Sequence, residues 1–329
     1  MPAEWRVKMF QLGIDVGTST VKLILINNGE ICASWECAHH NRPSEVLTDG
    51  LNDIIASAIK SINAERLAVG ITGSDAAFLH DALSGSVFME DIPAIVEGTL
   101  FIAPDAGSII EIGSQGSRYI ANIHEIPQFA TNGHCAGGTG SFFEDQMSRL
   151  GLAIEDYSAL ADKAESIPRL SGRCAVFAKT DIIHRQQEGV STPDILLGLC
   201  YAMIRNYKAT IVRTLPISKP VAFCGGVTHN SGVIRAIRDV FDLGADKLIV
   251  PPHASFAGAV GAALNASGAF TLEEIKDSCK MSHLHRVQTL EPLSRYALNP
   301  SAAACSSSLY GMDSSRCSLG IDIRQALTL

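Results

Sequence analysis

The chain carries little charge, few aromatic side chains and no long apolar run. Of its 329 residues, 18% are charged and 6% are aromatic, and the net charge is -8. Because the charges are dispersed and on balance acidic, nucleic-acid binding has no electrostatic support. No apolar run reaches the roughly 18 residues that span a bilayer, and the first residues lack the apolar core of a signal peptide. We therefore expect a cytoplasmic protein with neither a nucleic-acid nor a membrane partner.

The cysteines also lack a recognisable pairing pattern. There are nine of them, and none forms a C-x-x-C pair. This argues against a disulfide framework and against a self-contained zinc or ferredoxin motif. If thiols bind a metal here, the ligands must come from distant parts of the sequence. Four cysteines fall on predicted buried elements, and we interpret them as structural: Cys32, Cys37, Cys200 and Cys224.

Apolar residues, in contrast, are abundant. They make up 47% of the chain, enough for a sizeable core, and the length suits two domains. Apolar runs at residues 10–16, 21–26 and 31–37 are separated by turns and predict an opening antiparallel meander. Later segments follow the order strand, glycine turn, helix, which is typical of an α/β protein. The predicted helices include residues 44–62, 92–102, 193–214 and 253–267.

Three glycine turns stand at the ends of predicted apolar strands. In the first, residues 13–20, Asp15 precedes glycine and hydroxyl residues, and in the second, residues 111–117, Glu111 does the same. The backbone of such a turn can approach a phosphate group closely. The third strand ends at a glycine pair, Gly225 and Gly226.

A single thiol, Cys135, stands on a glycine-rich turn that leads directly into a predicted amphipathic helix. A helix N-terminus offers free backbone N–H groups and a partial positive charge, which favour a thiolate for metal ligation or redox chemistry. A lone cysteine is more often a small buried hydrophobe. The turn by itself therefore leaves both interpretations open.

Taken in order, the three glycine turns resemble the phosphate 1, phosphate 2 and adenosine motifs of the actin, hexokinase and Hsp70 ATPase superfamily. Two further stretches, the residues around Cys135 and residues 172–179 with Cys174, are similar to one branch of this superfamily. The chain is similar to the activators of 2-hydroxyacyl-CoA dehydratases and the related ATP-binding subunits of benzoyl-CoA reductases, and looks closest to their long, multi-module members. This implies an α/β, two-lobed actin-like ATPase (ribonuclease H-like) fold, with mixed sheets flanked by helices.

The resemblance also implies a division of the chain. Residues 1–105 would form an N-terminal lobe with the phosphate 1 turn, and residues 106–268 a C-terminal lobe with the other motifs. Residues 269–329 would be a tail, and residues 319–323 repeat residues 12–16 almost letter for letter. We interpret the tail as a linker and the start of a truncated second module, with chance similarity as the alternative.

The function implied by the resemblance is an ATP-dependent one-electron reductase. A homodimer would hold one 4Fe-4S cluster between its subunits, with Cys135 and Cys174 of each chain as ligands. Such a cluster takes four thiolates, and two chains related by a two-fold axis supply four. ATP binding and hydrolysis would drive an electron to a dehydratase or reductase component, and flavodoxin or ferredoxin would be the donor.

The family motifs also assign roles to single residues. By this resemblance Asp15 would hold Mg²⁺ through water and act in catalysis, together with Glu111 and Gln115, the last positioning the attacking water. The positions implied to bind ATP are Gly13, Gly17, Thr18, Ser19, Gly113, Ser114, Gly225, Gly226 and Asn230.

The second turn departs from the Gly-Gly-Gln-Asp-Ser-Lys form that is usual in the family. Ser114, Gly116 and Arg118 stand where that form has its second glycine, its acid and its lysine. The missing carboxylate bears on the rate of hydrolysis and not on nucleotide binding. Two alternatives share the nucleotide motifs: a kinase of a sugar or small metabolite, which needs a base aimed at a hydroxyl, and a cluster-free regulatory ATPase that acts through lobe closure.

Overall fold

The computed structural model describes most of the chain up to residue 289. The described residues are 10–59, 66–74, 76–132, 138–172, 175–244 and 246–289. The predicted cluster ligands Cys135 and Cys174 lie outside these ranges, as does the predicted tail beyond residue 289. Residues 1–280 form one compact unit, and residues 281–329 are a second unit.

The strands form two mixed sheets. In chain order they are β1 (Phe10–Val16), β2 (Thr20–Asn27), β3 (Glu30–Ala38), β4 (Leu67–Thr72), β5 (Val87–Phe88), β6 (Ser108–Ile112), β7 (Ser117–Ala121), β8 (Gln128–Thr131), β9 (Val221–Cys224), β10 (Leu248–Ile249) and β11 (Ser267–Phe270). The first sheet has the order β11-β4-β1-β2-β3, with β5 also paired to β4. The second has the order β10-β9-β6-β7-β8.

The two sheets repeat one arrangement. In the first, β1 is antiparallel to β2 and parallel to β4. In the second, β6 is antiparallel to β7 and parallel to β9. A third antiparallel strand follows in each, β3 beside β2 and β8 beside β7. The predicted opening meander is therefore confirmed, and an equivalent meander opens the second sheet.

Helices cover the sheets and bury their apolar faces. They are α1 (Pro43–Ile59), α2 (Ala77–Ala82), α3 (Asp91–Ile102), α4 (Gly140–Leu150), α5 (Tyr157–Ala161), α6 (Ala175–Gln187), α7 (Thr192–Tyr207), α8 (Ser231–Phe241), α9 (Ala257–Leu264) and α10 (Leu272–Thr289). Helices α1, α2 and α10 pack on the first sheet, and helices α4 to α8 share a core with the second. Within the described ranges, no helix is long and apolar enough to cross a membrane.

Two predicted helices end earlier than their sequence pattern indicates. The helix predicted at residues 193–214 is α7 followed by a π-helical turn, Lys208–Val212. The helix predicted at residues 253–267 is a 3-10 turn, Ala254–Phe256, followed by α9, and residue 267 already belongs to β11. Strand β11 forms because β4 offers it a pairing edge, and such tertiary pairing overrides a local apolar pattern.

The prediction that Cys32 and Cys37 are buried core residues is wrong, because both are exposed. They lie on β3, the edge strand of the first sheet: Cys32 is the extra residue at a register shift between β2 and β3, and Cys37 stands one residue before the end of the strand. Trp35 and Ala33 of the same strand pack against the core. The buried positions of Cys200 and Cys224 are confirmed.

Helices α3 and α9 join the two sheets through direct backbone contact. Helix α9 packs on the first sheet with Ala259 and Val260, whereas Ile95 of α3 packs on the second. A Cβ atom at Gly98 of α3 would lie 1.8 Å from the carbonyl oxygen of Ala257, and one at Gly261 of α9 would lie 1.9 Å from that of Ala94. Each helix therefore needs a glycine at the point where its partner's backbone passes.

Replacing Gly98 with alanine should lower the free energy of unfolding by about 2 kcal/mol or more, because overpacking outweighs the gain in helix propensity. Gly258→Ala is the matched control in α9, since its nearest neighbour would be Asp15 Oδ2 at 3.4 Å. Urea unfolding of both variants measures the difference. Equal stability of Gly98→Ala and Gly258→Ala would contradict the backbone contact.

Candidate functional site

The three predicted turns converge on one cleft within the compact unit. Strand β1 of the first sheet ends at this cleft, and so do β6 and β9, which are parallel neighbours in the second sheet. Its lining residues include Asp15, Gly17, Thr18, Ser19, Lys22, Asp91, Glu111, Gly113, Ser114, Arg118, Gly225 and Gly258. The cleft is thus rich in hydroxyl and backbone groups and contains charges of both signs.

The first turn is closed by its own backbone and held by a buried histidine. The N–H of Gly17 donates to the carbonyl of Thr20 at 3.0 Å. His39 Nδ1 accepts the N–H of Asn41 at 3.1 Å, so Nε2 carries the proton and donates to the carbonyl of Gly17, also at 3.1 Å. From the sequence we did not predict a role for His39, which follows β3 directly and is only 3% exposed.

The first two turns meet across the cleft. The hydroxyl of Ser19 donates a hydrogen bond to Ser114 Oγ at 2.7 Å. Each of the two hydroxyls belongs to a turn that was predicted to bind phosphate. The two turns are therefore close enough to contact a single polyphosphate chain.

Asp15, at the end of β1, is only partly accessible from the cleft. Burial raises the pKa of this carboxyl from its ordinary value of 3.8 to about 6, although Lys22 opposes the shift. Lys22 lies directly opposite on β2. A shielded carboxylate beside hydroxyl groups suits a hard cation with oxygen ligands, so the residues present fit Mg²⁺.

Glu111, at the end of β6, is buried and bound by arginine. Arg118 Nη1 donates to Glu111 Oε2 at 2.8 Å, and Nη2 donates to Asp91 Oδ2. Burial raises the pKa of Glu111, and the positive charge of Arg118 opposes the shift. Desolvation lowers the pKa of Arg118, but Glu111 and Asp91 outweigh it and the net shift is upward. The arginine thus connects Glu111 of the second turn to Asp91, the first residue of α3.

The second turn is bonded directly to the start of α4. The N–H groups of Gly140 and Ser141 donate to the carbonyls of Gly113 and Ser114, both at 2.8 Å. Within the turn, the N–H of Gly113 donates to the carbonyl of Gly116, again at 2.8 Å. A change in the position of this turn therefore reaches α4 without an intermediate side chain.

Asn132 also fixes the second turn. Its Oδ1 accepts the N–H of Ser117 at 2.8 Å, and its Nδ2 donates to the carbonyl of Gln115 at 3.0 Å. The side chain of Gln115 is exposed and does not line the cleft. The structure therefore brings the backbone of the turn, and not the Gln115 amide, to the site, and the catalytic role of Gln115 stays a prediction.

A second, more apolar pocket shares Ser19, Gly113 and Ser114 with the cleft. It is lined by Gly226 and Asn230 and by apolar groups that include Phe143, Tyr157 and Val227. The Asn230 side chain caps α8 by accepting the N–H of Val233 at 3.2 Å. Such a pocket beside a phosphate site has the mixed character that a nucleoside requires.

The remaining glycines differ in their surroundings. Gly225 has a positive φ of 94°, and a Cβ atom there would lie 2.4 Å from the carbonyl oxygen of Ile112. Gly13 lies beneath α9, where a Cβ atom would be 1.9 Å from the carbonyl oxygen of Ala259. Gly225 lines the cleft. Gly13 was also predicted to bind ATP, but it packs against α9 and does not line the cleft.

The ligands predicted for a metal cluster, Cys135 and Cys174, lie outside the described ranges. Among the residues that are described, no group of three or more His, Cys, Asp or Glu side chains is arranged to hold a metal ion. Helices α4 and α6, which follow the two cysteines in sequence, pack against each other.

From the sequence we did not predict that Lys22 lies at the site or that Arg118 pairs with Glu111. The sequence nevertheless contains a signal for both pairs. Asp15 and Lys22 are cross-strand neighbours of the first meander, and Glu111 and Arg118 are those of the second. Each pair is an acid and a base seven residues apart, with an apolar residue, glycine and a hydroxyl residue following the acid. In a hairpin at each of these turns, the seven-residue spacing puts the base opposite its acid, as the structure has it.

Asp15→Asn should stabilise the protein at neutral pH. Because the folded pKa of about 6 exceeds the ordinary 3.8, wild-type stability falls as pH rises through this interval. The variant should be more stable by about 1–3 kcal/mol at pH 8, with the difference fading towards pH 4. Urea unfolding at pH 8 and at pH 4 measures the difference in stability between the variant and the wild type. A difference that does not change with pH would contradict the raised pKa of Asp15.

Known proteins share this sequence pattern. The profile of the BadF/BadG/BcrA/BcrD ATPase family matches residues 12–266. The activator of lactoyl-CoA dehydratase from Anaerotignum propionicum is 28% identical over 260 residues, which cover 78% of this chain and 97% of the relative.

Solved structures share the fold. Component A of (R)-2-hydroxyglutaryl-CoA dehydratase from Acidaminococcus fermentans matches with a TM-score of 0.71 and 26% identity, covering 81% of this chain and 99% of the other. The activator of 2-hydroxyisocaproyl-CoA dehydratase from Clostridium difficile, with bound ADPNP, matches with a TM-score of 0.67 and 26% identity, covering 83% and 98%. The predicted actin-like fold of mixed sheets with flanking helices is confirmed, and the chain belongs to the BadF/BadG/BcrA/BcrD ATPase family.

Proposed function

We propose that this protein is an ATPase that activates a 2-hydroxyacyl-CoA dehydratase or a benzoyl-CoA reductase-type partner by delivering single electrons at low potential. One observation carries the proposal: the two phosphate turns meet at Ser19 and Ser114, and the second turn is bonded to α4, the helix that follows Cys135. The proposed ATP site is thereby bonded through its backbone to the helix that follows the predicted redox thiol in sequence.

ATP would bind with its phosphates between the first two turns. Asp15 would hold Mg²⁺ through water, and the backbone of Gly17 with the hydroxyls of Thr18 and Ser19 would contact the phosphates. Such a site neutralises phosphate charge with N–H groups and a cation. The adenosine would lie beside Gly226 in the more apolar pocket.

Hydrolysis would depend on the carboxylate of Glu111 and on the second turn. Glu111 lines the cleft and is held by Arg118, so its position beside the phosphates is fixed. We keep Gln115 as the candidate that orients the attacking water, because it lies between Ser114 and Gly116, which both line the cleft.

A 4Fe-4S cluster would be held by Cys135 and Cys174 from each of two chains. When bound, such a cluster supplies a one-electron couple, with a flavodoxin or ferredoxin as the donor and the partner enzyme as the acceptor. In sequence, Cys135 precedes α4 and Cys174 precedes α6, and these two helices contact each other. Helix α6 also exposes the apolar side chains of Phe177 and Ile183, which supports a homodimer contact next to Cys174.

We further propose two lobes, residues 1–105 and 106–268, with residues 269–329 as a tail. Their support is the repeated arrangement of the two sheets. Helix α9 and strand β11 return from the second lobe to pack on the first sheet. We place the protein in the cytoplasm, because reducing conditions keep thiol ligands available.

Two other functions on this fold remain to be separated from the proposed one by experiment. A sugar or metabolite kinase would consume ATP only with its substrate, and a regulatory ATPase would hydrolyse ATP without any iron. Anaerobic purification should give a brown protein with about two irons per chain, as a cluster shared by two subunits requires. A colourless protein with ATPase activity would overturn the electron-transfer proposal.

Cys135→Ala and Cys174→Ala should each abolish iron binding and weaken the dimer, because each removes two of the four ligands of a shared cluster. Nucleotide binding should persist in both. Cys37→Ala is the matched control, since this thiol is exposed on the edge strand β3, and it should keep its iron. Iron analysis and size-exclusion chromatography test this, and full iron content in either ligand variant would refute the assignment.

A further inference from the structure

The second turn contains Gly116, and Arg118 follows it two residues later at the start of β7. In the structure these two positions touch. A Cβ atom at Gly116 would lie 2.9 Å from Arg118 Nη1 and 3.3 Å from both Cζ and Nη2. The guanidinium group therefore occupies the space in which a side chain at position 116 would begin.

The backbone on both sides of this contact is fixed. The carbonyl of Gly116 accepts the N–H of Gly113 at 2.8 Å, and Asn132 holds the neighbouring backbone groups on either side of Gly116. The carbonyl of Arg118 accepts the hydroxyl of Tyr207 at 2.6 Å. Since neither backbone can yield, a side chain at position 116 can be accommodated only if the guanidinium moves.

The guanidinium has two carboxylate partners in this position. It binds Glu111 through Nη1 and Asp91 through Nη2, and Glu111 is only 7% exposed. A planar guanidinium holds two acceptors in fixed directions, which an ammonium group does not. Displacing it would leave a buried carboxylate without its counter-charge and free to change its rotamer.

We infer that Gly116 and Arg118 form one functional unit, in which the guanidinium fills the space of the missing side chain and fixes the Glu111 carboxylate at the edge of the phosphate cleft. Arg118 is a positioning residue, because it acts through Glu111. This inference rests on the proposed ATPase function and deepens it, since it explains how the second turn orients its carboxylate without an acid at position 116.

A double-mutant cycle on the full-length chain tests the unit, with Gly116→Asp, Arg118→Lys and the double variant. The measurements are steady-state ATP hydrolysis, ADPNP affinity by calorimetry, and the unfolding temperature without nucleotide. Gly116→Asp should lower kcat about tenfold or more, because its side chain displaces the guanidinium. Arg118→Lys should also lower kcat about tenfold, since one ammonium cannot hold both carboxylates.

The double variant should be at least as active as Arg118→Lys alone, because the shorter lysine leaves room for the aspartate and pairs with it. ADPNP affinity should change less than about threefold in every variant, as expected for a residue that acts on the chemical step. A purely structural role would instead lower affinity, kcat and unfolding temperature together. If the losses of the single variants multiply in the double variant, the two residues are independent and the inference fails.

Gly116→Ala replaces Gly116→Asp in the cycle if the aspartate variant does not fold, because its Cβ atom makes the same 2.9 Å contact. Wild-type kcat for Gly116→Ala would also overturn the inference. Arg149→Lys is the matched control, since Arg149 pairs with Asp145 at 2.9 Å on the surface of α4, and it should leave kcat within about twofold of wild type.

The same cycle separates this inference from the proposed function. A protein that hydrolyses ATP but activates no dehydratase or reductase component would refute the proposed function and leave the coupling measurable in kcat. If the wild-type protein does not hydrolyse ATP, the cycle is evaluated by unfolding temperature. Additive effects of the two substitutions on the unfolding temperature would then overturn the inference.

Discussion

The structure depends on how closely the backbones of α3 and α9 approach each other. Their reciprocal glycines, Gly98 and Gly261, allow each helix to touch the other's carbonyl oxygens. Because α9 lies on the first sheet and α3 on the second, this contact determines how the two sheets face each other. The cleft is formed where the strand ends of both sheets come together, so its width is set by a contact that contains no functional side chain.

Within the cleft, both meanders present a carboxylate at a strand end and a base on the strand beside it. The two pairs are held differently. Asp15 has Lys22 opposite in register, while Lys22 itself lies 3.8 Å from Glu36. Glu111 is bound directly by Arg118. The second carboxylate is therefore fixed in orientation by a direct salt bridge, whereas the first faces its base across the strand pair.

The fold and the position of the cleft were predictable, because acid, glycine and hydroxyl residues at strand ends leave a clear pattern in the sequence. Contacts that depend on tertiary packing were not. Burial of His39 against Gly17 and the salt bridge from Arg118 to Asp91 of α3 join residues far apart in sequence. The sequence also suggested that free N–H groups at the start of α4 would favour a thiolate at Cys135. In the structure, the N–H groups of Gly140 and Ser141 donate hydrogen bonds to carbonyls of the second turn.

Those two donors are consecutive, and so are their acceptors, Gly113 and Ser114. A single hydrogen bond would fix the distance between the turn and α4 but leave the helix free to swivel about its axis. Two bonds side by side remove that freedom. The second turn and the first residues of α4 therefore behave as one rigid body, and a tilt of the turn by a few degrees becomes a rotation of the whole helix.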